Sequence, residues 1–565
     1  MARQKVITAI IAAAMFLAST SCAKKQDKNF NITNFGALGD GKTVNTAAIN
    51  NAIKVCASRG GGTVVVPAGT FVTGSIELLT NVTLHLESGA ILQGSANLQD
   101  YRVGERRFGL IRASKTDNIA ITGIGTIDGI GTTFMDMNTP RNYPHWMAPD
   151  LDPNYTRQGQ DYMQAKFGTA DGPVVYTARP GNLLVLSNCK NVHIRDVTFA
   201  NSPVWTVRLD NCEDVVISGI RIKNSLLVPN SDGIHCTSCK NVHISDCEIS
   251  AGDDCIAITC IGDRRHQQIL GGEIGGGGKT ENVTVSNCTL QSRSAGVRIG
   301  YTGGDISNIT MSNLTIRESN RGLLVNVRDG GSVENVLFSN ITIQTRLHTG
   351  HWWGQAEPIH VSAIRGDAND PNLGVIKNVR FSNIFAESEN GIVVYGEKLG
   401  SVMDIVFDNI KLLVKNSPLN ESYGGNIDLR AAYDMKHSIF KYDIAGLYAR
   451  NVTGLKIAGF EICWDDNLPE FFNHAIWCEN FNGLTIDGFI GRQPHKGDSR
   501  AAIALNNGGD VTIRNCKAAE GTGVFLSHSE LTDQRLFVNN DLSKAQKSFE
   551  PEKSEFRDFG NFWPK

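Results

Sequence analysis

NVHIRDVTF, residues 191–199, decides the fold, because the chain keeps repeating it. Copies read DVVISGIRI from Asp214, NVHISDCEI from Asn241, NVTVSNCTL from Asn282, NITMSNLTI from Asn308, NVLFSNITI from Asn335, NVRFSNIFA from Asn378 and DIVFDNIKL from Asp404. Successive starts are 23, 27, 41, 26, 27, 43 and 26 residues apart. Weaker copies stand near Asn81, Asn118, Gly454, Gly483 and Asp510. Within each copy apolar residues alternate, which is the period of a strand that points one row of side chains inward. A repeat in the twenties suits a coil of three short strands and their turns. Stacked coils then lay Val on Val and Ile on Ile in one continuous interior. A β-sandwich also has many short strands, but it does not repeat its sequence at a near-fixed period. The expectation is an all-β, single-stranded parallel β-helix over residues 29–540, with 541–565 as a C-terminal tail.

The ends extend this reading. Ala48, Ile49, Ala52, Ile53 and Cys56 recur at helical spacing and Gly60-Gly61-Gly62 stops them, which predicts one capping helix over 45–57 before a first strand at 63–66. Residues 130–178 interrupt the period with a polar and aromatic stretch that includes Tyr143, Trp146, Tyr155 and Tyr162. An insertion of that length is read as a loop that contacts substrate.

The first residues form an export signal. Arg3 and Lys5 precede an apolar run from Val6 to Ala18, too short to span a bilayer comfortably. Ser19-Thr20-Ser21-Cys22 then resembles a relaxed bacterial lipobox. This predicts an exported protein of a Gram-negative bacterium, periplasmic or held at the outer membrane through lipid on Cys22, with residues 1–22 as the signal. Cleavage by an ordinary signal peptidase, with Cys22 incidental, is the alternative.

Composition narrows the function classes. Lys and Arg total 54 against 57 Asp and Glu, a net charge of −3, which offers no electrostatic footprint for nucleic acid. Of 13 cysteines, Cys189, Cys212, Cys239, Cys247, Cys288 and Cys516 hold equivalent places in repeats. They read as small buried residues in a ladder rather than as a disulfide framework. Cys236 and Cys239 form a CxxC, but no partner pair follows at zinc-ligand spacing.

Two neighbouring turns carry chemistry. Asn230-Ser231-Asp232-Gly233 closes one and Gly252-Asp253-Asp254-Cys255 closes another. Asp232 and Asp253 are 21 residues apart, which predicts stacked neighbours about 4.8 Å apart. Three carboxyl groups on one patch repel, which raises at least one pKa and leaves another group ionised. An acid and a base of that kind are what breaking a glycosidic bond requires.

These turns resemble the polygalacturonase family, glycoside hydrolase family 28. Asn230–Gly233 is similar to its Asn-Thr-Asp-Gly motif and Gly252–Cys255 matches its Gly-Asp-Asp-Cys motif. FGALGDG from Phe35 and NSPVW from Asn201 add to the resemblance, which spans roughly residues 29–343. It implies a right-handed parallel β-helix and an inverting glycosidase acting on α-linkages of a pectic or related polysaccharide, without metal or cofactor. Asp253 would be the general acid, Asp232 with Asp254 would activate water, and Asn230 would orient them.

Departures from the family pattern point to specificity. Its Gly-His-Gly falls at Ser294-Ala295-Gly296, and its Arg-Ile-Lys, which grips a sugar carboxylate, falls at Leu324-Val325-Asn326. Arg298, with Arg321 and Arg328, is close enough in sequence to compensate. The segment 348–359 brings His348, His351, Trp352, Trp353 and Glu357. Trp353 is expected as a sugar platform, with His348 and Glu357 on hydroxyls; a packed cluster without ligand is the alternative. Two other readings stay open: a calcium-dependent lyase of the pectate-lyase type, and a non-catalytic glycan-binding solenoid. The missing cations predict a neutral or modified sugar, and the long insertion predicts exo attack.

Overall fold

The computed structural model describes residues 28–141, 153–163, 169–260, 278–301, 303–369, 371–430, 432, 438–551 and 556–564. One sheet of 38 strands runs through it, and strands of successive coils pair in parallel as a right-handed β-helix. Val192, Val215, Val242, Val283, Ile309, Val336 and Val379 pair in one register and are all buried. The repeat therefore translates directly into a core. Phe338, Phe381 and Phe407 continue the stacking with ring centroids 5.1 Å apart.

The Asn or Asp that opens each copy has a backbone reason. Asn241, Asn282, Asn308, Asn335 and Asn378 have φ between 53° and 59°, a left-handed conformation that Asn tolerates better than most side chains. Their amides also bond up the stack, with Asn282 donating to Asn241 at 3.1 Å, Asn308 to Asn282 at 3.3 Å and Asn378 to Asn335 at 2.8 Å. Turn geometry and ladder bonding thus select the same residue.

Both ends differ from expectation. The helix Thr46–Ser58 buries Ile49, Ala52, Ile53 and Cys56 as a cap should, yet two short strands, Asn29–Asn31 and Asp40–Val44, precede it and pair with Gly62–Val66 and Gly69–Thr73. They are too short to show a period. At the other end Ala545–Glu550 and Arg557–Phe559 pair with the strand Thr522–Val538. Residues 541–565 therefore include the last rungs of the stack instead of forming a separate tail, held by the buried Phe549 and Phe556.

Twelve cysteines among the described residues are free, and all but Cys463 are buried. The ladder reading of the repeat cysteines follows from that burial. No helix among the described residues is long and apolar enough to cross a membrane. The export signal with Cys22, and Tyr143 and Trp146 of the insertion, lie outside the described residues.

Candidate active site

The site is a patch of rungs on one face of the helix. Ile234, Ile256, Val297, Leu323 and Ile359 stack in register. Two residues before each stand Asp232, Asp254, Ala295, Arg321 and Glu357. One residue after stand His235, Ala257, Arg298, Leu324 and His360. Asp232 therefore stacks on Asp254, with Gly233 N donating to Asp254 O at 2.9 Å. The expected pairing of Asp232 with Asp253 is off by one residue; Asp253 occupies the turn beside the column, where it is less buried than its neighbours.

All three carboxylates converge, with oxygens within 4.8 Å of one another. Their surroundings separate them. Asp254 is fully engaged: one oxygen accepts from Ser294 Oγ at 2.8 Å and from Ala295 N at 3.1 Å, and the other from Arg298 Nε. Asp253 accepts from Asn230 Nδ2 at 3.5 Å and from the Asp254 amide at 3.0 Å. Burial, then the charge of Asp254, pushes its pKa up to about 7. Asp232, 2% exposed, is pushed well above the carboxylate range by burial and then by Asp253 and Asp254. Its Oδ2 lies 3.1 Å from His235 Nδ1, while Oδ1 is buried with no hydrogen-bond partner.

The cluster does not suit a calcium ion. Ca²⁺ takes six to eight oxygen ligands, whereas a guanidinium already sits on Asp254. Arg179 adds a second cation nearby, donating to Asn230 Oδ1 at 3.0 Å and to the carbonyls of Pro203 and Pro229. The residues present fit three carboxyls that share protons.

A cavity of about 250 Å³ opens over the trio. Its lining includes Asp232, Asp253, Asp254, Asn230 and Arg298, and further out Tyr301, Leu324, Asn326, Trp352, Trp353 and Arg430. Trp353 thus stands where a platform was expected. Arg298 is present too, but as the partner of Asp254. Glu357 does not line the cavity: it is 1% exposed and holds Arg321 through contacts of 3.0 and 3.2 Å. His348 is also buried away from the lining, its pKa pushed down to about 3 by burial and by Arg293 and Arg346. Both belong to the packed alternative: Glu357 is held by its ion pair with Arg321, and His348 is buried with Nδ1 2.8 Å from Arg346 O.

Three insertions wall the cavity. Asp171 of the long insertion accepts from Arg346 Nη2 at 2.9 Å, Arg293 Nη2 at 3.3 Å and Thr349 N at 3.0 Å. Trp352 Nε1 donates to Asp171 O at 3.1 Å. The chain at Asp428 and Arg430 supplies the third wall: Arg430 pairs with Asp428 and donates to Trp352 O at 2.6 Å. A small apolar cluster of Tyr162, Leu347, Ala356, Tyr423 and Ile439 ties all three together. Arg430, His235 and Arg179 escaped the sequence reading. Only His235, three residues after Asp232, had a local signal.

Comparison with known proteins bears on the fold and the family. Residues 158–417 match the family described as glycosyl hydrolases family 28, and residues 29–143 match rhamnogalacturonase A/epimerase, pectate lyase-like. A probable polygalacturonase of Vitis vinifera is 29% identical over 309 residues, covering 47% of this chain and 56% of its own. An exo-poly-alpha-D-galacturonosidase of Dickeya chrysanthemi is 29% identical over 253 residues, 40% of this chain and 41% of its own. The chain thus spans about half the length of these curated relatives. Among solved structures, the family 28 exopolygalacturonase of Yersinia enterocolitica superposes with a TM-score of 0.57 at 20% identity, covering 81% of this chain and 78% of that one. A hyperthermoactive exopolygalacturonase of Thermotoga maritima gives 0.52 at 24% identity, 69% of this chain and 87% of that one.

Proposed function

We propose that this chain, which belongs to glycosyl hydrolases family 28, hydrolyses α-glycosidic bonds at the end of a pectic or related polysaccharide. The observation that carries the reading is the division of labour among the three carboxyls. Asp253, with its pKa near 7, can hold a proton at neutral pH and give it to the leaving oxygen. Asp232 keeps an unpartnered oxygen for water, and Asp254 is clamped in place by Arg298, Ser294 and Ala295. In the step, water oxygen bonds to the anomeric carbon as the carbon–oxygen bond to the leaving sugar breaks. The Asp232–Asp254 pair, ionised through the Asp254 carboxylate that Arg298 holds, takes the water proton, and Asp253 delivers its own.

Inversion is part of the proposal. Carboxyl separations of about 5–5.5 Å usually accompany retention and about 6.5–9.5 Å inversion; here one oxygen of each carboxyl lies within 4.8 Å of the others. Burial favours inversion nonetheless: Asp232 and Asp254 are each 2% exposed, so a water reaches them more readily than the anomeric carbon of a ring. Proton NMR of the first-formed anomer tests this, and a product that keeps the α-configuration would overturn it.

The pocket suits a neutral or modified sugar. Leu324 and Asn326 line it where the family's cations are expected. Three of the four guanidiniums in the lining are held by carboxylates: Arg298 by Asp254, Arg321 by Glu357 and Arg430 by Asp428. A lost charge-assisted contact typically costs roughly 1.5–3 kcal/mol, about ten- to a hundredfold in affinity. Weak action on plain polygalacturonic acid is expected, with better action on branched pectin or galactose-like linkages. The three walls favour a chain end. A fast viscosity drop on polygalacturonic acid would contradict both points, and the same assay with EDTA, read for unsaturated products, tests the lyase alternative. Export and lipid attachment at Cys22 complete the proposal; loss of palmitate labelling in Cys22→Ala checks the anchor.

A further inference from the structure

The Asp232–His235 contact has a counterpart that makes its own meaning plain. Glu357 and His360 hold the same two places in the column, with Glu357 Oε1 3.3 Å from His360 Nδ1. There every carboxylate oxygen is used. Oε2 accepts from Arg321 Nε at 3.0 Å and Gln355 N at 2.7 Å, and Oε1 from Arg321 Nη2 at 3.2 Å. At Asp232 the imidazole is the one hydrogen-bonded side chain, and Oδ1 has no partner. A buried unsatisfied oxygen calls for an explanation. One arrangement is structural and complete; the other is complete only when a donor arrives from the cavity.

His235 is built to hold still. Its ring stacks under Trp205 with centroids 3.7 Å apart and planes 17° from parallel. Nε2 lies 3.3 Å from Thr259 Oγ1, so the hydroxyl can donate to Nε2 while Nδ1–H faces Asp232. Burial, with Arg298 and Arg208, keeps the imidazole neutral, and a neutral ring with Nε2 accepting must carry its proton on Nδ1. Arg208 is itself held by Asp210 at 2.9 Å. The family's own histidine position is Ala295, which is buried and offers Asp254 only its backbone N–H.

We propose that His235 is a positioning residue for Asp232: its Nδ1–H fixes Oδ2 and leaves the unpartnered Oδ1 to hydrogen-bond the attacking water, whose proton the Asp232–Asp254 pair takes. This rests on the hydrolase reading above. The charged groups around the pair are Asp253 and Asp254 from the next turn, Arg298 from the rung beyond, Arg208 from the rung before and Arg179 from across the cavity. None of them makes a hydrogen bond to Asp232, so the imidazole is the side chain that sets its orientation.

The test compares His235→Leu with His235→Asn, whose amide N–H can stand at the Nδ1 place. A misplaced catalytic group costs up to about a hundredfold. His235→Leu should lower kcat ten- to a hundredfold with KM within about threefold. The acid limb of its kcat/KM profile should move to higher pH, because a carboxylate that loses a donor ionises less readily. His235→Asn should recover most of both. Unfolding curves for each variant confirm that a folded enzyme is being assayed, and if His235→Leu does not fold, Trp205→Leu, which removes the stacking ring, takes its place. Unchanged kcat and pH profile in His235→Leu, or an equal loss in both variants, would overturn the proposal. Asp232→Asn is the control that separates the two claims: if it stays fully active, the hydrolase reading itself fails.

Discussion

At the residue scale, Asp253 makes the sharpest claims. Asp253→Asn should lower turnover by at least about 10²–10⁴-fold, the usual contribution of a positioned acid, measured as initial rates on the preferred glycan. In the parent, kcat should fall as pH rises through about 7, as the acid loses its proton. Stability runs the same way. An acid whose pKa rises from 3.8 in the unfolded chain to about 7 in the fold favours folding when protonated and opposes it as pH climbs between those values. Asp253→Asn should therefore be as stable as the parent near pH 4 and more stable at pH 8, a difference that thermal melts at the two pH values can read. Arg298 illustrates a limit of reading by residue type. A cation near the site suggested a substrate contact, and the fold gave it to Asp254.

At the scale of elements, the walls matter more than the coils. Asp171 joins the long insertion to residues 346–352 through Arg346, Arg293, Thr349 and Trp352. Its carboxyl is held down to about 2, burial being outweighed by Arg346 and the Thr349 amide. Asp171→Ala should loosen Trp352 and Trp353 without touching the carboxylates. KM should rise about tenfold, a loss of about 1.4 kcal/mol in binding, with kcat within about threefold, and amide exchange at 346–352 should quicken. An unchanged KM would mean that the tryptophans do not bear on substrate. The insertion was visible in the sequence as a break in period. Its partners were not, because Asp171 and Arg346 are 175 residues apart and nothing local announces such a pair.

Over the whole molecule, stability is shared between neighbouring rungs. Ile244 stacks between Ile217 and Val285 and is 1% exposed. Ile244→Ala should cost about 2–5 kcal/mol through lost transfer energy and the cavity left behind, measured by denaturant unfolding. Because each rung contacts only its neighbours, the coils flanking Ile244 should open first, seen as exchange at 215–220 and 283–286 ahead of the C-terminal rungs.

What the sequence determined by itself follows from periodicity. Alternation and near-constant spacing dictate parallel stacking, since each coil can bury its apolar row only against a copy of itself. The repeated Asn is local in the same sense, because its left-handed turn is a property of one residue. The two acidic turns were legible because Asp232, Asp253 and Asp254 lie within one repeat length of sequence, on neighbouring coils. Tertiary structure alone decided the rest: that Asp232 stacks on Asp254, that Glu357 and His348 serve packing, that residues 541–565 hold the last rungs, and that Arg430 reaches the cavity from a distant coil. The physical reason is common to all four. Whether a polar atom faces substrate or is satisfied internally depends on which partner arrives from another rung, and the register that brings the partner is settled only when the coils stack.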